Sequence, residues 1–179
     1  MHTLEDHFPL ALKLLTADLG AKEGRFVLER MSAARYAVGE RVVREGRFAD
    51  ALYYVIKGRL EASVEADGHR LGLAEIVTGE WIGEMTFVEP APASATVTCL
   101  EPAVLLRMRN ADITELCDEN PAACATLLTR ICQALAERLV LTGSGMLEQV
   151  ADTEYRVAVP DATAPSMVER LLRLFWRQP

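Results

Sequence analysis

The sequence predicts a mainly β fold of the α+β class, an all-β sandwich or barrel framed by helices. Three observations carry that expectation. Between Arg35 and Arg109, short runs of Val, Ile, Tyr and Leu are cut at close intervals by Gly39, Gly46, Gly58, Gly79, Gly83 and Pro90, the spacing of a compact all-β unit. Asp67-Gly68 stands between two strand-like runs and is a strong hairpin signal. On both sides of this region the apolar period is helical.

The first helix is expected over residues 8–19, where Leu10, Leu14 and Ala17, with Phe8, Leu12, Leu15 and Leu19, recur at helical spacing after Pro9 and stop at Gly20. A second, shorter helix is expected around 23–31. Strands are expected at 35–38, 41–45, 51–57, 59–66, 69–77, 94–100 and 103–109. Residues 110–118 then make a short helix with Asn110 as N-cap. Asn120-Pro121 opens a helix of about 20 residues, proline being well suited to a first helical position. Its stripe of Cys124, Leu127, Leu128, Ile131, Leu135 and Leu139 can face the β unit or a second chain, and Gly143-Ser144-Gly145 is expected to end it. A strand at 155–159 and a helix at 167–176, capped by Ser166, complete the chain. Three segments result: helical residues 1–33, the β unit with its helices at 34–142, and a linker with a terminal amphipathic helix at 143–179.

Composition narrows the function. The chain has 179 residues, with 19 Lys and Arg against 26 Asp and Glu, a net charge of −7. That balance argues against binding nucleic acid, which needs a basic face to neutralise phosphates. No run approaches the roughly 18–20 apolar residues of a membrane span. The acidic start, Met1-His2-Thr3-Leu4-Glu5-Asp6-His7, is unlike a signal peptide, so the expectation is a cytoplasmic protein. Cys99, Cys117, Cys124 and Cys132 lie among apolar residues without a CxxC pair. They read as small buried hydrophobes, not as a disulfide framework or a metal site. Histidines are few and scattered, and no nucleophile elbow, P-loop or His–Glu metal helix occurs. The expectation is therefore not an enzyme.

The chemistry-bearing stretch is Gly79-Glu80-Trp81-Ile82-Gly83-Glu84-Met85-Thr86-Phe87, followed by Pro92-Ala93-Ser94-Ala95-Thr96-Val97. A glycine followed by a short helical turn exposes backbone N–H groups in a concave nest that suits an anion. A carboxylate in that turn can accept hydrogen bonds from a ribose hydroxyl, and an arginine a few residues later would neutralise a phosphate.

With Val38-Gly39-Glu40, Arg44-Glu45-Gly46, Leu52-Tyr53-Tyr54-Val55-Ile56-Lys57-Gly58, the Gly83-Glu84 cassette and Ala95-Thr96-Val97, residues 26–142 resemble the cyclic nucleotide-binding domain family of catabolite activator proteins and kinase regulatory subunits. The resemblance implies a β-roll, or jelly roll, flanked by helices, the long helix often forming a dimer seam. It implies ligand-binding positions at Gly83, Glu84, Met85, Ser94, Ala95 and Thr96. Glu84 matches the residue that binds the ribose 2′-hydroxyl, while Ser94, Ala95 and Thr96 match the end of the cassette near the phosphate. The ligand implied is cyclic AMP or another cyclic nucleotide, and the role implied is regulatory signal transduction. The family's phosphate-binding arginine falls nine residues after Glu84, and that position is Ala93. No Arg or Lys lies between Arg70 and Arg107. Arg107 and Arg109 remain as compensating cations, and Arg138 or Thr142 as readers of the base from the long helix. Trp81 is expected to be a core or wall residue. The other reading is a degenerate domain serving dimerisation or protein docking.

No winged helix-turn-helix of the kind the transcription-factor members carry is expected in the residues after Thr142. The terminal helix carries Met167, Val168, Leu171, Leu172, Leu174 and Phe175 against Arg170, Arg173 and Arg177. Docking on its own domain or on a protein partner is favoured over association with a membrane surface.

Overall fold

The computed structural model describes residues 7–66, 68–85 and 91–152. The expected strand at 155–159, the terminal helix at 167–176, and Asp67, Thr86 and Phe87 lie outside the described residues. The chain divides into two compact units, residues 1–142 and 143–179.

Helix α1 (Phe8–Leu19) buries Ala11, Leu15 and Leu19, one helical stripe, and Gly20, at φ +91°, separates it from α2 (Ala21–Leu28). The two helices touch backbone to backbone. A Cβ on Gly24 would lie 2.7 Å from the Leu15 carbonyl oxygen, so glycine is required at the crossing. The strands follow: β1 (Ser32–Tyr36), β2 (Arg41–Val43), β3 (Ala51–Lys57), β4 (Leu60–Ala66), β5 (His69–Ile76), β6 (Trp81–Ile82), β7 (Thr96–Cys99) and β8 (Ala103–Arg109). They form two four-stranded antiparallel sheets, ordered β1-β8-β3-β6 and β2-β7-β4-β5. This is the expected β-roll framed by helices. β6 was not among the expected strands, because two residues show no period. It exists by pairing with Tyr53 and Tyr54 of β3.

The hydrophobic pattern of β3 explains the layering. Tyr53 and Val55, with Ala51, face the interior of the roll and pack with Leu60, Ile76, Val97 and Leu105. Leu52, Tyr54 and Ile56 face the helices and pack with Leu15, Trp81, Met108, Leu116 and Ile131. A strand covered on both faces reads as a continuous apolar run, as Leu52–Ile56 does.

Helix α3 (Asn110–Glu119) and helix α4 (Pro121–Asp152) close the layer outside β8. Asn110 is not the N-cap of α3. It is the first helical residue, its N–H bonded to the Asp50 carbonyl at 2.9 Å, and Arg109 caps instead, its N–H held by Asp112 Oδ2 at 3.1 Å. Asn120 does cap α4, its Oδ1 accepting from the Ala123 N–H at 3.1 Å with Pro121 at the first helical position. The helix continues past Gly143-Ser144-Gly145 to Asp152. A helical glycine costs about 1 kcal/mol but does not of itself end a helix.

The cysteines depart from expectation. Cys117 and Cys124 form a disulfide with Cα atoms 4.8 Å apart. The tight turn at Asn120-Pro121 brings the end of α3 against the start of α4, so residues seven apart meet without a CxxC motif. Cys99 is buried as expected, whereas Cys132 is exposed. No helix among the described residues is long and apolar enough to cross a membrane.

Candidate functional site

The site begins with a steric requirement. Gly83 follows β6 at φ +91°, and a Cβ there would lie 2.7 Å from the Ala51 carbonyl oxygen. No other residue type fits both the dihedral and the space. The chain then turns helical at Glu84, whose side chain is only 3% exposed. Glu84 Oε1 accepts from Arg138 Nη1 of α4, and Arg138 Nη2 donates to the Trp81 carbonyl at 2.5 Å. Glu84 Oε2 is buried and has no hydrogen-bond partner among the described residues. An unsatisfied buried acceptor of this kind costs about 1–3 kcal/mol, more when charged, so the site is short of one donor.

Trp81 is a core residue, as expected. Its ring lies 4.6 Å from that of Tyr54, and its Nε1 donates to Asp18 Oδ2 at 2.9 Å. The other Asp18 oxygen accepts from Arg130 Nε at 2.5 Å. Burial raises the Tyr54 phenol far above its ordinary range, and the Asp18 charge adds to the effect, so it stays neutral beside that carboxylate. Helix α4 is thus tied to the cassette directly by Arg138 and, through Asp18 of α1, by Arg130, eight residues and about 12 Å apart along the axis.

The far end of the cassette is built differently. Ala93 points into the interior of the roll and is buried. Its N–H donates to the Arg47 carbonyl at 2.9 Å, and its carbonyl accepts from the Gly46 N–H at 2.8 Å. Ser94 is exposed and its hydroxyl donates to Met85 Sδ at 3.5 Å, which joins the two ends of the cassette. Ala95 is half-buried beside them. Thr96 stands apart. Opposite Ser63 in the register, it lies on the face of β7 away from Val97 and the roll core. Its Oγ1 accepts from the Glu45 N–H at 3.1 Å, and it lines an outer depression of about 200 Å³ with Arg41, Ser63 and Arg70.

Neither compensating cation named from the sequence is free. Arg107 is paired with both oxygens of Asp50, at 3.0 and 3.2 Å, and Arg109 with Asp112 at 2.9 Å. Among the described residues, the cation that reaches the cassette turn is Arg138, and it meets Glu84. The signal for it was a long-helix arginine opposite a cassette with no cation of its own.

The roll is open along part of its inner surface. Leu71 sits opposite Val64, on the face shared with Leu60 and Ala62, which pack in the roll core. Leu71 is nevertheless 54% exposed, as is Leu73, the residue at the bulge in β5.

Residues 33–120 match the family model described as cyclic nucleotide-binding domain. That segment is a domain of the cyclic nucleotide-binding family. Similar domains occur in larger proteins. Lysophospholipase nte1 of Aspergillus fumigatus is 24% identical over 143 residues, 78% of this chain but 9% of that protein. The type II regulatory subunit of cAMP-dependent protein kinase from Drosophila melanogaster is 28% identical over 75 residues, 38% of this chain and 20% of the subunit. A cyclic nucleotide-binding domain from Methylobacillus flagellatus superposes with a TM-score of 0.76 at 18% identity, covering 87% of this chain and 90% of that one, a likeness of fold. The chain thus spans under a tenth of the lysophospholipase and a fifth of the kinase subunit.

Proposed function

We propose that the chain is a non-enzymatic regulatory module that senses a cyclic nucleotide or similar ligand in the roll and passes its occupancy to α4. The observation that carries this reading is Glu84, buried at the cassette turn with one oxygen unpartnered among the described residues and the other held by Arg138. A ligand hydroxyl supplies the missing donor. Gly83, Glu84, Met85, Ser94 and Ala95 form the proposed binding surface. The side chain of Thr96 is left out, because it faces away from the roll core. The open inner face at Leu71 offers an apolar wall for a base.

The position of Ala93 supports a second reading, a domain that has lost nucleotide binding and serves dimerisation or docking. A charge-assisted contact to phosphate is worth about 1.5–3 kcal/mol, so its loss weakens binding roughly ten- to a hundredfold. Calorimetric titration with cyclic AMP and cyclic GMP separates the two. The sensor reading expects saturable heat from the wild type, loss of that heat in Glu84→Ala with the fold retained, and tighter binding in Ala93→Arg. No heat at millimolar ligand from either the wild type or Ala93→Arg leaves the docking reading.

Helix α4 also supports a homodimer. Leu128, Cys132 and Leu139 are exposed and Leu135 is partly so. Their alternating spacing of four and three is that of a two-helix seam. A cytoplasmic location and a protein partner at the terminal helix belong to the same reading.

A further inference from the structure

Three arginines compete to answer the charge of an anionic ligand in this roll, and the structure separates them. Arg107 is committed to Asp50. Arg47 is the cross-strand neighbour of Ala93 through the Phe48–Pro92 bridge. It is exposed and touches no group of the cassette turn through its side chain among the described residues. Arg138 reaches the turn itself. One of its N–H groups is on Glu84 and one is on the Trp81 carbonyl. A guanidinium has five N–H donors, and the rest have no partner among the described residues. Its side chain is 36% exposed, against 3% for the carboxylate it holds. The charge is therefore anchored on its inner side and open on its outer side.

We propose that Arg138 is the cation that meets the anionic group of the ligand, supplied from α4 in place of the arginine the cassette lacks. The assignment rests on the reading that the roll takes a ligand of cyclic nucleotide type. Such a ligand carries a hydroxyl and a phosphate ester on adjacent ring carbons. The hydroxyl donates to Glu84, and the phosphate takes the outward N–H groups of Arg138. One guanidinium then bridges two anions, a geometry its planar fork allows and a lysine ammonium matches less well. Glu84 becomes the residue that positions the cation as well as the one that accepts the hydroxyl.

The test compares cyclic AMP with adenosine, which has the same base and ribose hydroxyls but no phosphate, by calorimetric titration of the full chain. The wild type is expected to prefer cyclic AMP, and that preference is expected to shrink as sodium chloride rises. Arg138→Gln is expected to lower cyclic AMP affinity at least tenfold more than it lowers adenosine affinity, with Arg138→Lys in between and Arg47→Gln like the wild type. Far-ultraviolet circular dichroism checks that each variant is folded. If Arg138→Gln does not fold, Arg138→Lys and the salt series decide the matter alone. The proposal is overturned by equal wild-type affinity for the two compounds, or by an unchanged preference in Arg138→Gln. It is also overturned by tighter cyclic AMP binding in that variant, which would make Arg138 a plug on Glu84. Loss of the preference in Arg47→Gln alone assigns the role to Arg47 and overturns it equally. No heat from the wild type with either compound overturns the sensor reading as well, an outcome distinct from binding without preference.

Discussion

At Gly83 the close approach to the Ala51 carbonyl and the positive φ act together. Gly83→Ala is expected to cost about 1–3 kcal/mol for the strained dihedral, and more if β3 cannot shift away from the new methyl. Thermal unfolding measures it, and a variant as stable as the wild type would show that the turn can be rebuilt. Gly46 and Gly68, with positive φ but open space around them, tolerate alanine better. Single residues therefore divide into those fixed by the path of the backbone, such as Gly83, and those fixed by chemistry, such as Glu84. Only the second kind can recognise a ligand through its side chain.

Among the elements, α3 and α4 hold two features that can be measured. The Arg109 guanidinium beside Asp112 holds the carboxyl of Asp112 below its ordinary value, against the smaller opposing effect of burial. A carboxyl depressed in the folded state stabilises above its unfolded value of about 3.9. That contribution is lost as pH falls through the folded value. Asp112→Asn is expected to remove it, flattening the loss of stability below about pH 4 and costing about 0.5–1 kcal/mol near neutrality through the weakened cap. Urea unfolding at a series of pH values checks both. The disulfide between Cys117 and Cys124 closes a short loop, for which chain entropy gives about 2–3 kcal/mol. Burial raises the Cys99 thiol above its ordinary range, with Glu40 adding to the effect. Titration of thiols at high dilution, where chains are separate, is therefore expected to show Cys132 reacting fast, Cys99 only on unfolding, and the pair only after reduction. Four thiols accessible without a reductant would remove the disulfide.

How far these elements were legible depends on what sets them. The strands at 51–57 and 103–109 and the helix at 8–19 could be bounded to the residue, because long apolar runs and flanking breakers set them locally. β6 and the disulfide depend on which distant segments meet, and no local period records that. The candidate site was legible in the same partial way. Gly83 and Glu84 are marked by a local motif, and the missing cation by its absence at Ala93. Thr96 stands two residues after Ser94, but the alternation of β7 turns its side chain to the outer face. Arg138 lies 54 residues from Glu84, so only the packing of α4 across the cassette could assign it.

For the whole molecule, the expected assembly is a pair of chains joined along α4, with Cys132 inside the seam. Mild oxidation is expected to link two chains through Cys132, visible on a non-reducing gel and abolished in Cys132→Ser. Sedimentation that shows only monomer at high concentration would count against the seam. Asp18 has a separate consequence, because one carboxylate holds both the Trp81 indole on the cassette side and Arg130 on α4. Any displacement of α4 that draws Arg130 away leaves this carboxylate to the indole alone and changes the field across its ring. The emission of Trp81, recorded with Trp176 replaced by phenylalanine, is thereby a built-in optical gauge of where the long helix stands, readable without a label in dilute solution.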